Sequence, residues 1–294
     1  MNMNLTMAME GFYSLKVHGG KRGEIDFGTH KNLILDAGIT HMLNNYDPLG
    51  YVHIGSGSSQ PSAGQVQLDA KFAHTNRNKK ETHGYVSAGD SESGKAYGYS
   101  RLEVQFDKGA AKGNISEIGV GNNTQGNPLW SRSLILDKSG NPTSITILED
   151  EYLTVTYEAR RYVSTEVVTT TLEYDDDGEK KQVECKVIPS ASTIERGWGS
   201  AGFDSERENT SLDNPKTPNL GKNWSVSGNT ITMLLKYEVN DGNDVDISNP
   251  HISKPKRPHR SLVPDGTELQ FNPPLRKTNE FELTIGVTVT IERA

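Results

Sequence analysis

Tyr97-Gly98-Tyr99-Ser100-Arg101-Leu102-Glu103-Val104-Gln105-Phe106-Asp107 is the stretch on which the fold reading turns. Its apolar members, Tyr99, Leu102, Val104 and Phe106, are interleaved with polar ones, close to the two-residue period of a half-buried strand. Downstream, residues 115–121, 128–136, 144–148 and 152–162 repeat the texture at short spacing. Many short strands separated by turns predict an antiparallel β-sandwich or jelly-roll-like domain. Tyr152, Val155 and Tyr157 mark a long strand that meets partners on both faces for part of its length.

Upstream, residues 12–17 and 23–27 read as two strands joined by the turn His18-Gly19-Gly20-Lys21, a hairpin. Residues 31–35 lead into the one good helix, 36–45, where Asp36 can cap and Ile39, Met42 and Leu43 share a face. Residues 51–55 form a short strand that runs into the turn-rich Gly55-Ser56-Gly57-Ser58-Ser59-Gln60-Pro61-Ser62, and residues 76–95 are polar and expected on the surface.

Beyond residue 163 the texture changes, which divides the chain into a β-sandwich-like domain, 1–163, and a β-rich assembly or interaction region, 164–294. Residues 164–174 and 180–188 flank Asp175-Asp176-Asp177-Gly178 as a hairpin with a charged turn. Residues 189–222, rich in Ser, Gly, Asn and Pro, predict a long irregular arm, and 240–274, with six prolines, a second surface excursion. Residues 230–239 and 281–292 are strands, the last with Leu283, Ile285, Val287, Val289 and Ile291 on one face. Two arrangements stay open: a separate second domain, or an insertion whose final strand returns to the first sheet.

Composition narrows the function classes. The chain has 294 residues, 33% hydrophobic, with 29 glycines and 13 prolines, which excludes collagen, coiled-coil and helical membrane architectures. Its 31 basic and 38 acidic residues give a net charge of −7, without the basic footprint of a nucleic-acid binder. A single cysteine, Cys185, rules out an internal disulfide framework and fits a reducing compartment. Residues 1–12 carry neither the basic residue nor the apolar run of a signal peptide, so Sec export is not expected.

No constellation of catalytic chemistry is complete. Gly89-Asp90-Ser91 resembles the nucleophile block of a group of serine esterases, yet the Asp-x-x-His partner block cannot be written anywhere in the chain. Cys185 alternates with Val183 and Val187 and is expected to face a core. Asp175, Asp177, Asp241, Asn243, Asp244 and Asp246 offer oxygen ligands, but the calcium-loop grammar fails, since Val245 and Asp246 stand where a ligand and a glycine belong. Zinc spacing is absent. Glu149, Asp150 and Glu151 could supply a glycosidase acid pair, though their place before a strand favours a turn. Gly19-Gly20-Lys21 lacks the rest of a phosphate loop. No catalytic, cofactor-binding or metal-ligating residue is therefore nominated, and no cofactor is expected.

Candidate partner contacts lie in the arms. Lys254, Lys256, Arg257 and Arg260 sit in a proline-stiffened run that reads as a solvated loop or subunit contact. Trp130 lies within a strand and belongs to a core, whereas Trp198 and Trp224 flank the first arm and are expected to anchor it; as a rival role they would form a sugar platform.

Four ordered segments carry a resemblance. They are Lys31-Asn32-Leu33-Ile34-Leu35-Asp36-Ala37-Gly38; Val52-His53-Ile54 running into residues 55–62; Ile115-Ser116-Glu117-Ile118-Gly119-Val120-Gly121 followed by Leu129-Trp130-Ser131-Arg132-Ser133-Leu134-Ile135; and Asp150-Glu151-Tyr152-Leu153-Thr154-Val155-Thr156-Tyr157-Glu158. Over roughly residues 24–162 the chain resembles structural proteins of tailed bacteriophages. The motif positions Asn32, Asp36, Gly38, Gly55, Gly57, Pro61, Gly119 and Gly121 specify fold and carry no catalytic signature. The resemblance implies a non-enzymatic virion protein of the tail, baseplate, fibre attachment or neck and collar, assembled in the host bacterial cytoplasm as a symmetric oligomer. Its partners would be other virion proteins and copies of itself, with no nucleic acid and no membrane. The alternative is a carbohydrate- or receptor-binding module of a phage fibre, with a host surface glycan as ligand.

Overall fold

A computed structural model describes residues 2–44, 48–163, 167–176, 178–188, 224–237, 245–247, 251–252, 267–273, 275–277 and 282–294. Among the described residues the chain is mainly β with one short helix. The first part holds β1 (Asn2–Gly19), β2 (Ile25–Ile34), α1 (Asp36–Leu43), β3 (Tyr51–Gly55), β4 (Lys71–Thr75), β5 (Lys80–Val86), β6 (Tyr97–Phe106), β7 (Gly113–Ile115), β8 (Glu117–Gly121), β9 (Leu129–Leu134), β10 (Ile145–Ile147) and β11 (Glu151–Val163). The second holds β12 (Val168–Asp176), β13 (Glu179–Ile188), β14 (Trp224–Ser227), β15 (Thr230–Tyr237), β16 (Val245–Ile247), β17 (His251–Ile252), β18 (Thr267–Asn272), β19 (Leu275–Lys277) and β20 (Leu283–Arg293).

β1 organises the main, twelve-stranded sheet. One side pairs antiparallel with β11 from Met7 to Gly19; the other is shared between β20, parallel along Asn2–Met9, and β2, antiparallel along Gly11–Val17. The sequence reading starts this strand ten residues later. Met7, Met9, Tyr13, Leu15 and Val17 keep one unbroken alternation and are all buried. Asparagine and alanine are poor strand formers, and the pairing that holds residues 2–9 comes from the far end of the chain, which local propensity cannot report.

β2 carries the sheet around a corner: Gly11–Val17 of β1 face its first part, while Leu33 and Ile34 pair with Arg132 and Ser131 of β9. From β9 the order continues through β8 and β3 to β4. The curl brings β4 against β6, where the Gln105 N–H donates to the Arg77 carbonyl at 3.0 Å and Thr75 Oγ1 donates to the Gln105 carbonyl at 3.0 Å. Inward residues of both regions, among them Leu102, Val104, Phe106, Val155 and Tyr157 with Val52, Ile54, Ile118, Val120 and Trp130, form one core. In β6 Tyr99 departs from the expected apolar set: it is out of phase with Leu102 and only half-buried, opposite Arg160. The polar stretch 76–95 contains β5, paired along its length with β6.

The helix is set by a different cap from the one expected. Leu35, with an extended backbone and no side-chain cap, holds the N-cap position. Asp36 stands instead in the first turn and pairs with Arg293, whose Nε donates to the Ile34 carbonyl at 2.6 Å. An anion is favoured there by the helix dipole. Gly38 lets the helix lie against β9, because a Cβ there would sit 2.5 Å from Trp130 Cα and 2.6 Å from its carbonyl oxygen.

In the second part β12, β13, β18 and β17 form a four-stranded sheet around Leu172, Val183, Cys185, Val187 and Phe271. β12 and β13 give the expected hairpin, and Cys185 is buried, its thiol pushed up to about 11 by burial. β14, β15 and β20 join the twelve-stranded sheet, so the last strand returns to the first sheet. Within 240–274, read as an irregular excursion, β16, β17 and β18 are strands because backbone groups find partners in β19 and β13. The arm 189–222 lies outside the described residues.

Gly38→Ala is expected to lower stability by roughly 1–3 kcal/mol, since the clash is with backbone that cannot swing aside. Urea unfolding checks this; an unchanged midpoint would show that the helix moves away at no cost.

Candidate functional site

Three places in the described structure bring polar chemistry together. The first lies on the outer face of β8 and β9, where one charged residue stands in each of two wholly buried strands. Glu117 and Arg132 are both fully buried. Arg132 Nε and Nη2 donate to Glu117 Oε2 at 3.1 and 2.9 Å. The carboxylate also accepts the backbone N–H groups of Gly57, Asp69 and Ala70 at 3.0, 3.1 and 2.7 Å. The guanidinium continues to Gln65 Oε1 at 2.8 Å, Asp69 Oδ2 at 2.8 Å and the Ser59 carbonyl at 3.2 Å. Ser59 first, and Arg132 after it, hold the Asp69 carboxyl below its ordinary value. Two charges withdrawn from water cost several kcal/mol each unless their hydrogen-bonding capacity is filled. Here it is filled by the loop of residues 56–70, which is thereby fastened over the sheet.

The glycines around this centre are requirements of space. A Cβ on Gly55 or Gly57 would stand 2.5 Å from Glu117 Oε1, and one on Gly119 2.7 Å from Leu129 Cδ1. Leu68 and Leu129 pack with Leu33 and Leu35 into a small second core beneath the same loop. A Cβ on Gly121 would stand 3.2 Å from Leu129 Cδ2, and Pro61 is half-buried in the loop. Asn32 is buried and accepts from Tyr157 Oη at 3.3 Å, which itself accepts from Trp130 Nε1 at 2.9 Å. The motif positions named from the sequence thus gather around one helix and one sheet. Glu117 and Arg132, the pair they surround, were not singled out; a lone charge in each of Ile115–Gly121 and Leu129–Leu134 was the available signal.

The second place is a histidine pair on β3 and β4. His53 and His74 are register partners with ring centroids 5.8 Å apart and nearly stacked, and Tyr51 tilts against both. His53 is fully buried beneath Gly126, whose left-handed backbone (φ +70°) brings it against the ring. The loop over it is tied down by Lys71 Nζ, which donates to the Thr124 and Gln125 carbonyls at 2.6 and 2.7 Å. The Asn123 backbone lies near enough to favour a ring proton slightly, yet neither ring nitrogen makes a well-formed hydrogen bond. Burial, then the charges of Lys71 and His74, bring the His53 pKa down to about 3. Stacked rings beside an ammonium do not converge on a cation, because a metal must lie in the plane of each ligating imidazole.

The third is the outer face of β1, β11 and β6. Arg160 is held between Phe12 and Tyr97, 4.2 and 4.6 Å from their ring centroids. Its Nε donates to Glu158 Oε1 at 2.7 Å, and Arg101 Nη2 donates to Glu158 Oε2 at 2.5 Å. Tyr162 Oη donates to Glu10 Oε2 at 2.5 Å and Lys31 Nζ to Glu10 Oε1 at 2.8 Å. Charges of both signs are paired within the face, with aromatic rings between them.

The enzyme-like motifs have local partners. Ser91 Oγ meets Ser93 Oγ at 2.9 Å, and Asp90 Oδ2 accepts from Ser87 Oγ at 2.5 Å, closing a small surface turn. Glu149 pairs with Lys112, while Glu151 is buried and clasped by Arg22 Nε and Nη2 at 2.7 and 2.5 Å. Among the described residues no group of three or more His, Cys, Asp or Glu is placed to hold a metal, and no helix is long and apolar enough to cross a membrane. Of the proposed contacts, Trp224 begins β14; Trp198, Lys254, Lys256, Arg257 and Arg260 lie outside the described residues. No family model, curated protein or solved structure matches this chain.

Two outcomes follow from these centres. Glu117→Gln leaves Arg132 with only Asp69 as a charged partner; a stranded buried charge costs about 3–5 kcal/mol, the lower end applying here. Limited proteolysis should then cut within residues 56–70, and an uncut loop would remove the pinning role. His53 takes up a proton more readily unfolded than folded, so its contribution to stability is complete above pH 6.5 and is lost as pH falls towards 3, at most roughly 1.4 kcal/mol per unit. His53→Gln should flatten the stability profile between pH 6.5 and 5 in urea titrations; equal slopes would contradict the burial of a neutral ring.

Proposed function

We propose that this chain is a non-enzymatic structural protein of a tailed-bacteriophage virion, working as a symmetric oligomer in the tail, baseplate, fibre attachment or neck and collar. Its host-cell stage is assembly in the bacterial cytoplasm, and its partners are copies of itself and other virion proteins. One observation carries the reading. The four segments on which the resemblance rests converge in space: Lys31–Gly38 forms the β2 end and helix start, Gly55–Ser62 the pinned loop, Glu117 and Arg132 the pin, and Tyr157 the bond to Asn32 beside Gly11. Their side chains are spent on holding a rigid body together, the requirement of a part that transmits force and shape. The finer architecture that accords with the curled sheet around one core is the sandwich or jelly-roll-like class.

A second reading, a carbohydrate- or receptor-binding module, is favoured by the half-buried Phe12, Tyr99 and Tyr162 on the outer face of β1, β6 and β11. Rings of this kind stack on sugars. Saturable glycan binding that Tyr99→Ala abolishes would promote it over the assembly reading.

The assembly reading is tested by light scattering of the purified full chain over a concentration series, combined with limited proteolysis. A fixed closed oligomer in which segments 189–222 and 240–274 resist cleavage is expected. A monomer at every concentration, with both segments cut, would overturn it.

A further inference from the structure

We propose that the open edge of β14 is a seam at which a second copy of this chain pairs antiparallel, continuing the twelve-stranded sheet across a twofold axis. The proposal rests on the assembly reading above and gives it one named contact. Among the described residues β14 ends the strand order and pairs with β15 alone. Exposed edges are ordinarily protected by charge, proline or a bulge. Among the described edges of four or more residues, β5 carries Lys80 and Glu81, β12 carries Glu173, Asp175 and Asp176, and β4 carries Lys71 and is turned towards β6. Trp224-Ser225-Val226-Ser227 has neither a charged residue nor a proline.

The edge is fixed in place. Thr40 Oγ1 donates to the Gly228 carbonyl at 2.9 Å and Asn229 Nδ2 to the Ile291 carbonyl at 2.7 Å, so the hairpin is tied to the helix and to β20. Gly228, with φ +57°, opens the two-residue turn. Such a turn sets Ser227 and Thr230 as a hydrogen-bonded pair. Alternation then makes Ser225 and Thr232 the next such pair, and directs the N–H and C=O groups of Trp224 and Val226 to the open side. In the register that places Ser225 opposite its own copy, Val226 pairs with Trp224 of the second copy and the reverse. All four outward residues are satisfied together, which is the self-complementarity a twofold interface requires.

The two faces agree with this. On the inner row Ile231 and Val289 are buried, whereas Val226 at the edge is only partly covered, so the apolar layer stops short where the second copy would extend it. On the outer row Ser225, Ser227, Thr230, Thr232, Thr288 and Thr290 present hydroxyls and no charge, with Thr232 and Thr288 oxygens 3.1 Å apart. Two molecules of net charge −7 repel, and they approach most easily through a region that carries none.

Ser225→Cys is the test, made in the full chain. Ser225 is exposed, and the native Cys185 is buried and thus silent. Directly opposite residues of a non-hydrogen-bonded antiparallel pair lie about 4.5 Å apart at Cα, close enough for a disulfide. Under mild oxidation Ser225→Cys should give a covalent dimer on a non-reducing gel, reversed by reductant, while Ser227→Cys gives little. A Ser225→Lys, Ser227→Lys variant with an unchanged urea midpoint should lose this contact and fall at least twofold in mass by light scattering. If the wild-type chain is an oligomer but Ser225→Cys does not cross-link and the double-lysine variant keeps its mass, the seam is wrong and the assembly reading stands. Equal cross-linking at both cysteines overturns the register, and a wild-type monomer without cross-linking overturns both readings.

Discussion

The buried pair of Glu117 and Arg132 is the constraint from which much of the first part of the chain follows. A carboxylate and a guanidinium held out of water gain little net stability over well-packed apolar side chains. What they impose is geometry. Glu117 accepts five hydrogen bonds, and three come from backbone N–H groups at Gly57, Asp69 and Ala70. Leucine in its place would fill the volume but could not say where the loop of residues 56–70 must lie. That the carboxylate reaches backbone at all depends on Gly55 and Gly57, where any side chain would enter its space.

Fixing that loop makes β9 a two-faced strand. Leu129 to Leu134 are buried throughout, the inner residues against the main core and the outer ones beneath the loop with Leu68 and Leu35. The curl of the sheet depends on the same strand, because β2 leaves β1 and pairs with β9 where the chain turns into the helix. Arg293 then reaches from β20 to the Ile34 carbonyl and Asp36, so the last strand is anchored where the corner is made. Loop, corner and terminal strand are one mechanical unit.

Much of this was legible. The strands 115–121 and 128–136, the short helix and the hairpin around Gly178 show in alternation and turn residues because their information is local. The extension of β1 to Asn2, the strand β5 within a polar stretch and β18 within a proline-rich one did not show, because each is held by a partner distant in sequence. The motif glycines were readable as fold positions, but their reason, the Glu117 carboxylate, needs three segments in register at once. Asp36 illustrates the limit at one residue: its type suits a cap, while its place, one step inside the helix, follows from Leu35 bonding to the Trp130 carbonyl at 2.9 Å.

Perturbed ionisable groups often mark functional sites, and here their causes can be followed one by one. Tyr13 is pushed up to about 12 by burial while its hydroxyl donates to the Leu134 carbonyl and accepts from the Leu136 N–H, stitching β1 to the end of β9. Glu151 is lowered by Arg22, and that bond ties the turn after β1 to the start of β11. His53 is depressed under a loop that Lys71 clasps. Burial moves Tyr13 and His53 and the Arg22 bond moves Glu151, and each group sits where two strands join or a loop is fastened. Their energetic role is that of fasteners, the role that the proposed assembly reading asks of the body of the chain.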